Sequence, residues 1–225
     1  TAITVVFKTS TAAATTVRYG PHPGIAWESS KASPSGTTHS VELSGLRPDT
    51  KYFYQVESGG SVIAGGEECF FRTSPAANAR TPFRFLAWGD SGTGSSSQFD
   101  VARRMEQIEP QPDFALGLGD LVYESGEWEN YDPRLFRPYA RIFARTTFWP
   151  TMGNHDFKTS SGQPYKDAFY LPTTTGAPGQ RHVHVALGRS GRRARARQAL
   201  AVRVHAPPAV LEGHARLGQR ERARR

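Results

Sequence analysis

The chain has a single cysteine, Cys69, among its 225 residues. No intrachain disulfide can form from it, and no thiolate cluster can hold a metal. Long apolar runs are missing as well. No stretch approaches the roughly 20 residues that cross a bilayer, and the opening Thr1 to Ser10 lacks the basic, apolar, small-residue order of a secretory leader, so no membrane partner is expected. Collagen, coiled coil and wholesale disorder are excluded by a composition that is 37% hydrophobic and 11% aromatic, with 22 Gly and 16 Pro.

The last fifth of the chain lacks more. From Arg181 onward there is no Phe, Trp, Tyr, Ile, Met or Lys, while Arg and Ala recur, as in Arg192-Arg193-Ala194-Arg195-Ala196-Arg197. Residues 181–225 hold 12 of the 28 basic residues and 2 of the 20 acidic ones, so the overall charge of +8 belongs to this end and residues 1–180 stand at −2. A segment so poor in apolar side chains cannot offset its ordering entropy, and residues 188–225 are expected to be a disordered tail. An arginine-rich arm could grip phosphates, but this one has no aromatic residue for base stacking and no Lys or Ser/Gly interleaving. A nucleic-acid partner is therefore not expected.

What is present begins with short alternating apolar runs over residues 1–75: Ile3 to Phe7, Thr16 to Tyr19, His39 to Leu43, Tyr52 to Val56 and Cys69 to Phe71, separated by Gly, Pro and Ser. This rhythm predicts an all-β sandwich. Leu46-Arg47-Pro48-Asp49-Thr50-Lys51-Tyr52, followed by Val56, has the layout of a tyrosine corner, in which a strand Tyr bonds back to upstream backbone. His22 and His39 stand alone and read as loop or surface residues.

Beyond the linker Ser74 to Asn78 the pattern changes to strand alternating with helix. Phe83 to Trp88 reads as a strand entering Gly89-Asp90-Ser91-Gly92, and a helix is expected from about Ser97 to Glu109, with Val101, Met105 and Ile108 on one face. Phe114 to Leu118 leads into Gly119-Asp120-Leu121-Val122-Tyr123. A helical stretch with Leu135, Tyr139 and Ile142/Phe143 precedes Phe148 to Met152, which ends in Gly153-Asn154-His155-Asp156. Each motif alone reads as a turn. Together they place polar residues just past the ends of three successive strands, where open α/β sheets carry their ligand sites. Carboxylates, a phenol, an amide oxygen and imidazole suit Fe(III), Mn(II) or Zn(II), and one carboxylate can bridge two such ions.

The GD, GDxxY and GNHD motifs resemble those of the calcineurin-like metallophosphoesterases. Tyr123 and the preceding fibronectin type III-like domain resemble the purple acid phosphatases, over residues 1 to about 180. The fold class implied is an all-β sandwich followed by an α/β metallophosphoesterase domain, over 1–75 and 82–187, with the N-terminal half of that second domain present. The resemblance further implies that Asp90 binds the first metal, Asp120 bridges both, Tyr123 binds the first as a phenolate and colours it, and Asn154 binds the second. The metals would be Fe(III) plus Zn, Mn or Fe(II). His155 would sit by the substrate, stabilising the phosphoryl group or protonating the leaving oxygen, with Asp156 orienting it. The substrate class is a phosphomonoester, and an extracellular or periplasmic location goes with the family.

The family's later histidine ligands are not matched. Val202-Arg203-Val204-His205 fits VxxH only formally, and Gly213-His214-Ala215-Arg216 has Arg where a second His belongs. Arg181 to Leu187, with His182 and His184, reads instead as the next core strand. Reading Val204 to Gln219 one base later through degenerate codons is compatible with F-T-H-H-P-P-Y-S, so the tail is expected to be frameshifted or truncated and activity low. The rival is a non-catalytic binding module that keeps a remnant metal site.

Overall fold

A computed structural model describes residues 2–24 and 27–170, and the backbone of 180–186 and 199–205. The first half is built on a long hairpin, β1 (Ala2–Gly20) against β2 (Ser29–Leu43). The two short strands expected at Ile3 and Thr16 are one strand, because the intervening Thr, Ala and Ser residues stay extended. Pairing runs from Ile3↔Leu43 to Tyr19↔Ser29, and register shifts between Lys8 and Thr15 let the strand bend. Past the bend, β1 pairs with β3 (Lys51–Ser58), which also carries β4 (Ser61–Ala64) and β5 (Phe70–Arg72).

Period-2 alternation turns Val5, Val17, Val41, Leu43, Tyr54, Val56 and Phe71 into one buried cluster. Each large side chain so buried contributes about 1.5–3 kcal/mol relative to exposure. The Arg47 amide donates to the Tyr52 hydroxyl at 3.1 Å, closing the expected corner. His39 corrects the sequence reading, being 1% exposed. It shares the inward face of β2 with Val41 and Leu43, stacks on Phe7 at 4.7 Å, and lies 3.1–3.3 Å from the hydroxyls of Thr15, Ser33 and Thr9.

The second half is a parallel sheet of β6 (Phe85–Trp88), β7 (Phe114–Leu118) and β8 (Thr147–Thr151). Helix α1 (Ser96–Glu106) links the first two, its N-cap being Ser95, whose hydroxyl accepts from the Gln98 amide at 3.3 Å. It ends three residues before the expected Glu109, ahead of Pro110, consistent with the bias against helix before proline. Between β7 and β8 come α2 (Trp128–Tyr131), a wide helical turn at Asp132–Phe136, and α3 (Ala140–Arg145). Leu135, Tyr139, Ile142 and Phe143 join Phe148, Tyr131 and Phe169 in the core. On the opposite sheet face Phe85 and Leu118 stay 51% and 61% exposed. Where a plain turn was expected after β8, the chain forms α4 (Asn154–Lys158) and α5 (Gln163–Ala168).

Strand β9 (Gln180–Ala186) meets β8 antiparallel at His182↔Phe148, at the place expected for the next core strand. The expectation of disorder throughout 188–225 does not hold for β10 (Ala199–His205), which pairs with β9 on one edge and β1 on the other. Alternating Leu200, Val202 and Val204 suit a strand, and ladder bonds on both edges offset its ordering entropy. The rest of the tail lies outside the described residues. Through β10 the two expected domains share one ten-stranded sheet, in the order β4-β3-β1-β10-β9-β8-β7-β6, with β2 branching from β1 and β5 from β3.

Candidate active site

The three loops that leave β6, β7 and β8 stack on one another. The Asp90 amide donates to the Gly119 carbonyl at 3.2 Å, Ser91 to Asp120 at 3.3 Å, and Tyr123 to Gly92 at 2.9 Å. Asp90 and Asp120 both adopt left-handed backbone, with φ of 50° and 49°. Such conformations cost of order 1–3 kcal/mol each and persist where the surroundings dictate them. The stacking depends on two glycines. A Cβ on Gly92 would lie 1.9 Å from the Leu121 carbonyl oxygen, and one on Gly153 would lie 2.1 Å from the Asp120 amide and 2.2 Å from its carboxylate.

Within this stack the Tyr123 hydroxyl donates to Asp90 Oδ1 at 2.6 Å. That bond, followed by partial desolvation and the charges of Asp90 and Asp120, pushes the phenol pKa up to about 12. Asp120 Oδ1 accepts from the His155 amide at 2.8 Å, tying the second motif to the third. Asn154 stands exposed at the head of α4, between Gly153 and His155. The His155 ring packs on Tyr123 at 4.5 Å between centroids, and its Nδ1 meets the Glu124 carbonyl at 2.6 Å.

Asp156, expected to orient His155, faces main chain rather than the imidazole. Its carboxylate is fully buried and accepts main-chain hydrogens from Leu121 and Val122 at 3.0 Å and from Gly153 at 2.9 Å. Burial pushes its pKa up against the pull of those three amides. These bonds lock the second loop to the start of α4, while the His155 ring meets the Glu124 carbonyl. The reason is geometric: a helix residue at the third position reaches back to its own N-cap amide.

Several supporting residues were not legible as motifs. Arg134 donates to the Tyr123 carbonyl. Gln98 accepts from the Gly94 amide at 2.7 Å and donates to the Arg134 carbonyl at 2.6 Å, joining the first loop to the second. The Lys158 ammonium lies 2.9 Å from His155 Nδ1 and 3.3 Å from the Glu124 carbonyl. Only the spacing of Lys158, one helical turn after His155, offered a signal, and it required reading Asn154–Lys158 as helix.

The donor chemistry fits a hard cation, with two carboxylates and a phenol already bonded to one of them. Among the described residues no three His, Cys, Asp or Glu side chains gather as a metal cluster. The side chains of His182, His184, His205 and His214 lie outside the described residues.

The family model for the purple acid phosphatase N-terminal domain matches residues 1–81, and that for the calcineurin-like phosphoesterases matches residues 83–214. Purple acid phosphatase 23 of Arabidopsis thaliana is 34% identical over a 169-residue alignment that covers 62% of this chain and 36% of the relative. Fe(3+)-Zn(2+) purple acid phosphatase 12 of the same plant is 26% identical over a 152-residue alignment that covers 61% of this chain and 30% of that protein. The solved purple acid phosphatase PPD1 of yellow lupin (Lupinus luteus) seeds has the same fold, with a TM-score of 0.63 and 18% identity over 77% of this chain and 39% of that one. The chain thus spans about a third of the length of these curated relatives.

Proposed function

Because the chain belongs to the calcineurin-like phosphoesterase family, behind a purple acid phosphatase N-terminal domain, we propose that it serves the metal-dependent hydrolysis of phosphate monoesters. The observation that carries this reading is the meeting of Asp90, Asp120 and Tyr123 at the ends of two adjacent parallel strands, with the Tyr123 hydroxyl 2.6 Å from Asp90. Asp90 and Tyr123 would hold Fe(III), Asp120 would serve both metals and Asn154 would hold the divalent one. Bound metal ions supply charge for the phosphoryl group and lower the pKa of the attacking water.

The chain's own residues do the rest. His155, with Nδ1 against the Glu124 carbonyl, leaves Nε2 to face the phosphoryl oxygens or the leaving group. The Lys158 ammonium adds positive charge beside it. Asp156 keeps Asp120 and His155 in register by gripping Leu121, Val122 and Gly153 together. Among the described residues no helix is long and apolar enough to cross a membrane, and an extracellular or periplasmic setting belongs to the same reading.

The test is to load the full chain with Fe(III) and Zn(II), count metals per chain, record the visible phenolate band, and assay p-nitrophenyl phosphate. A visible band that disappears in Tyr123→Phe is expected, with the second metal held weakly and a low turnover that is lost in Asp120→Asn. A chain that binds neither metal would overturn the reading in favour of a binding module with a remnant site.

A further inference from the structure

We propose that Lys8, on the first strand of the β half, is a positioning residue for the loop that carries Tyr123. The catalytic meaning of this clamp rests on the metal-ligand reading of Tyr123, whereas the clamp itself does not. The Lys8 ammonium lies 4.1 Å from the centre of the Trp128 ring and donates to the Asp167 carbonyl at 3.1 Å. Asp167 sits in the last turn of α5, where helix carbonyls lack intrahelical partners and the dipole favours a cation. One lysine from β1 therefore ties together the start of α2 and the end of α5.

Trp128 follows Tyr123 by five residues, and the intervening loop is held at successive points. Its Tyr123 end is gripped by Asp90 and Arg134. Its middle rests on the 156–159 segment: a Cβ on Gly126 would lie 2.8 Å from Asp156 Cα, and the Thr159 hydroxyl and amide donate to the Ser125 carbonyl at 2.7 and 3.1 Å. Its far end is Trp128, which is 43% exposed, with one side of its ring beside the buried Tyr131 at 6.1 Å between centroids. Lys8 adds a hold on that ring from outside the second half. Its partial burial lowers the lysine pKa while the nearby Asp167 raises it, as expected for an ammonium enclosed by the contacts it makes. Removing the cation frees the outer end of the loop, and the phenol of Tyr123 then loses its fixed approach to Asp90.

Hydrogen exchange on the full, metal-free chain tests the clamp, read by mass spectrometry on peptides spanning 121–131. Lys8→Met is expected to speed exchange in that span by about tenfold, the loss of one cation–π contact and one hydrogen bond, while β3 and β7 stay protected. Lys8→Arg is expected to restore protection, since a guanidinium can also stack on indole and donate to a carbonyl. Tyr54→Phe breaks another bond between the two halves, the 2.8 Å one to the Ala144 carbonyl, and is not expected to loosen 121–131 selectively. Unchanged exchange in Lys8→Met, or an equal rise everywhere, overturns the proposal. With Fe(III) added, the visible band should weaken in Lys8→Met and persist in Lys8→Arg. An unaltered chain that stays colourless would sink the metal reading alone and leave the exchange result standing.

Discussion

The β half and the three-loop site solve opposite problems with the same backbone chemistry. In the β half, polar groups serve packing: His39 is buried among three hydroxyls, and Tyr52 and Tyr54 each spend their hydroxyl on a main-chain group. In the site, packing serves polar groups: Gly92 and Gly153 give up side chains so that loops can touch, and Asp90 and Asp120 are held in left-handed backbone. The difference teaches where strain is placed. The β half keeps its left-handed non-glycine residue, Asp49, in an exposed turn, whereas the site holds Asp90 and Asp120 so at the ends of adjacent strands, where the buried carboxylate of Asp156 ties the loops together.

The sharpest way to break this contrast is one methyl group. Gly153→Ala is expected to cost on the order of 3 kcal/mol or more in urea unfolding and to abolish metal binding, because its Cβ meets Asp120 backbone and carboxylate together. Gly45→Ala, in the β half, meets nothing within 4 Å and is strained only by its positive φ of 73°, whereas Gly153 has an ordinary φ of −97°, so about 1 kcal/mol is expected at Gly45. Equal costs at the two positions would remove the distinction.

A smaller effect separates the halves by pH. Burial lowers the His39 pKa below its ordinary 6.5, so below that value the unfolded chain binds a proton that the folded chain refuses. Stability contributed by neutral His39 is thus complete above pH 6.5 and is lost as pH falls toward the lowered folded value. Melting curves from about pH 7 to about pH 5 should show a shallower decline in His39→Gln than in the unaltered chain, and parallel declines would exclude His39 as the cause. The smallest change expected is at the exposed Arg103–Asp100 pair on α1, 2.8 Å apart and part of neither network. Asp100→Asn should cost about 0.3 kcal/mol, which sets the floor against which the other losses are judged.

Much of the fold was legible because its signals are local and periodic. The apolar strands ending at Trp88, Leu118 and Met152 announce themselves, and so do the turns that follow them. His39 was misread although the alternation through Val41 and Leu43 already placed it inward. Helices α4 and α5 were missed because Asn154 to Lys158 is too short for a helical period to show. The strand at 199–205 was missed because arginine-rich flanks hid a run that becomes favourable only with a partner on each edge.

By itself the sequence determined which residue types reach the ends of the parallel strands, Asp90, Asp120, Tyr123, Asn154 and His155, because strand period and turn chemistry act over a few residues. Only the tertiary structure decided how they are held. Asp156 grips main chain more than thirty residues away, Lys8 reaches Trp128 and α5 from the other half, and Tyr54 bonds to Ala144 across 90 positions. Contacts at such separations depend on how whole elements pack, and packing is a property of shapes meeting in space that no local pattern records.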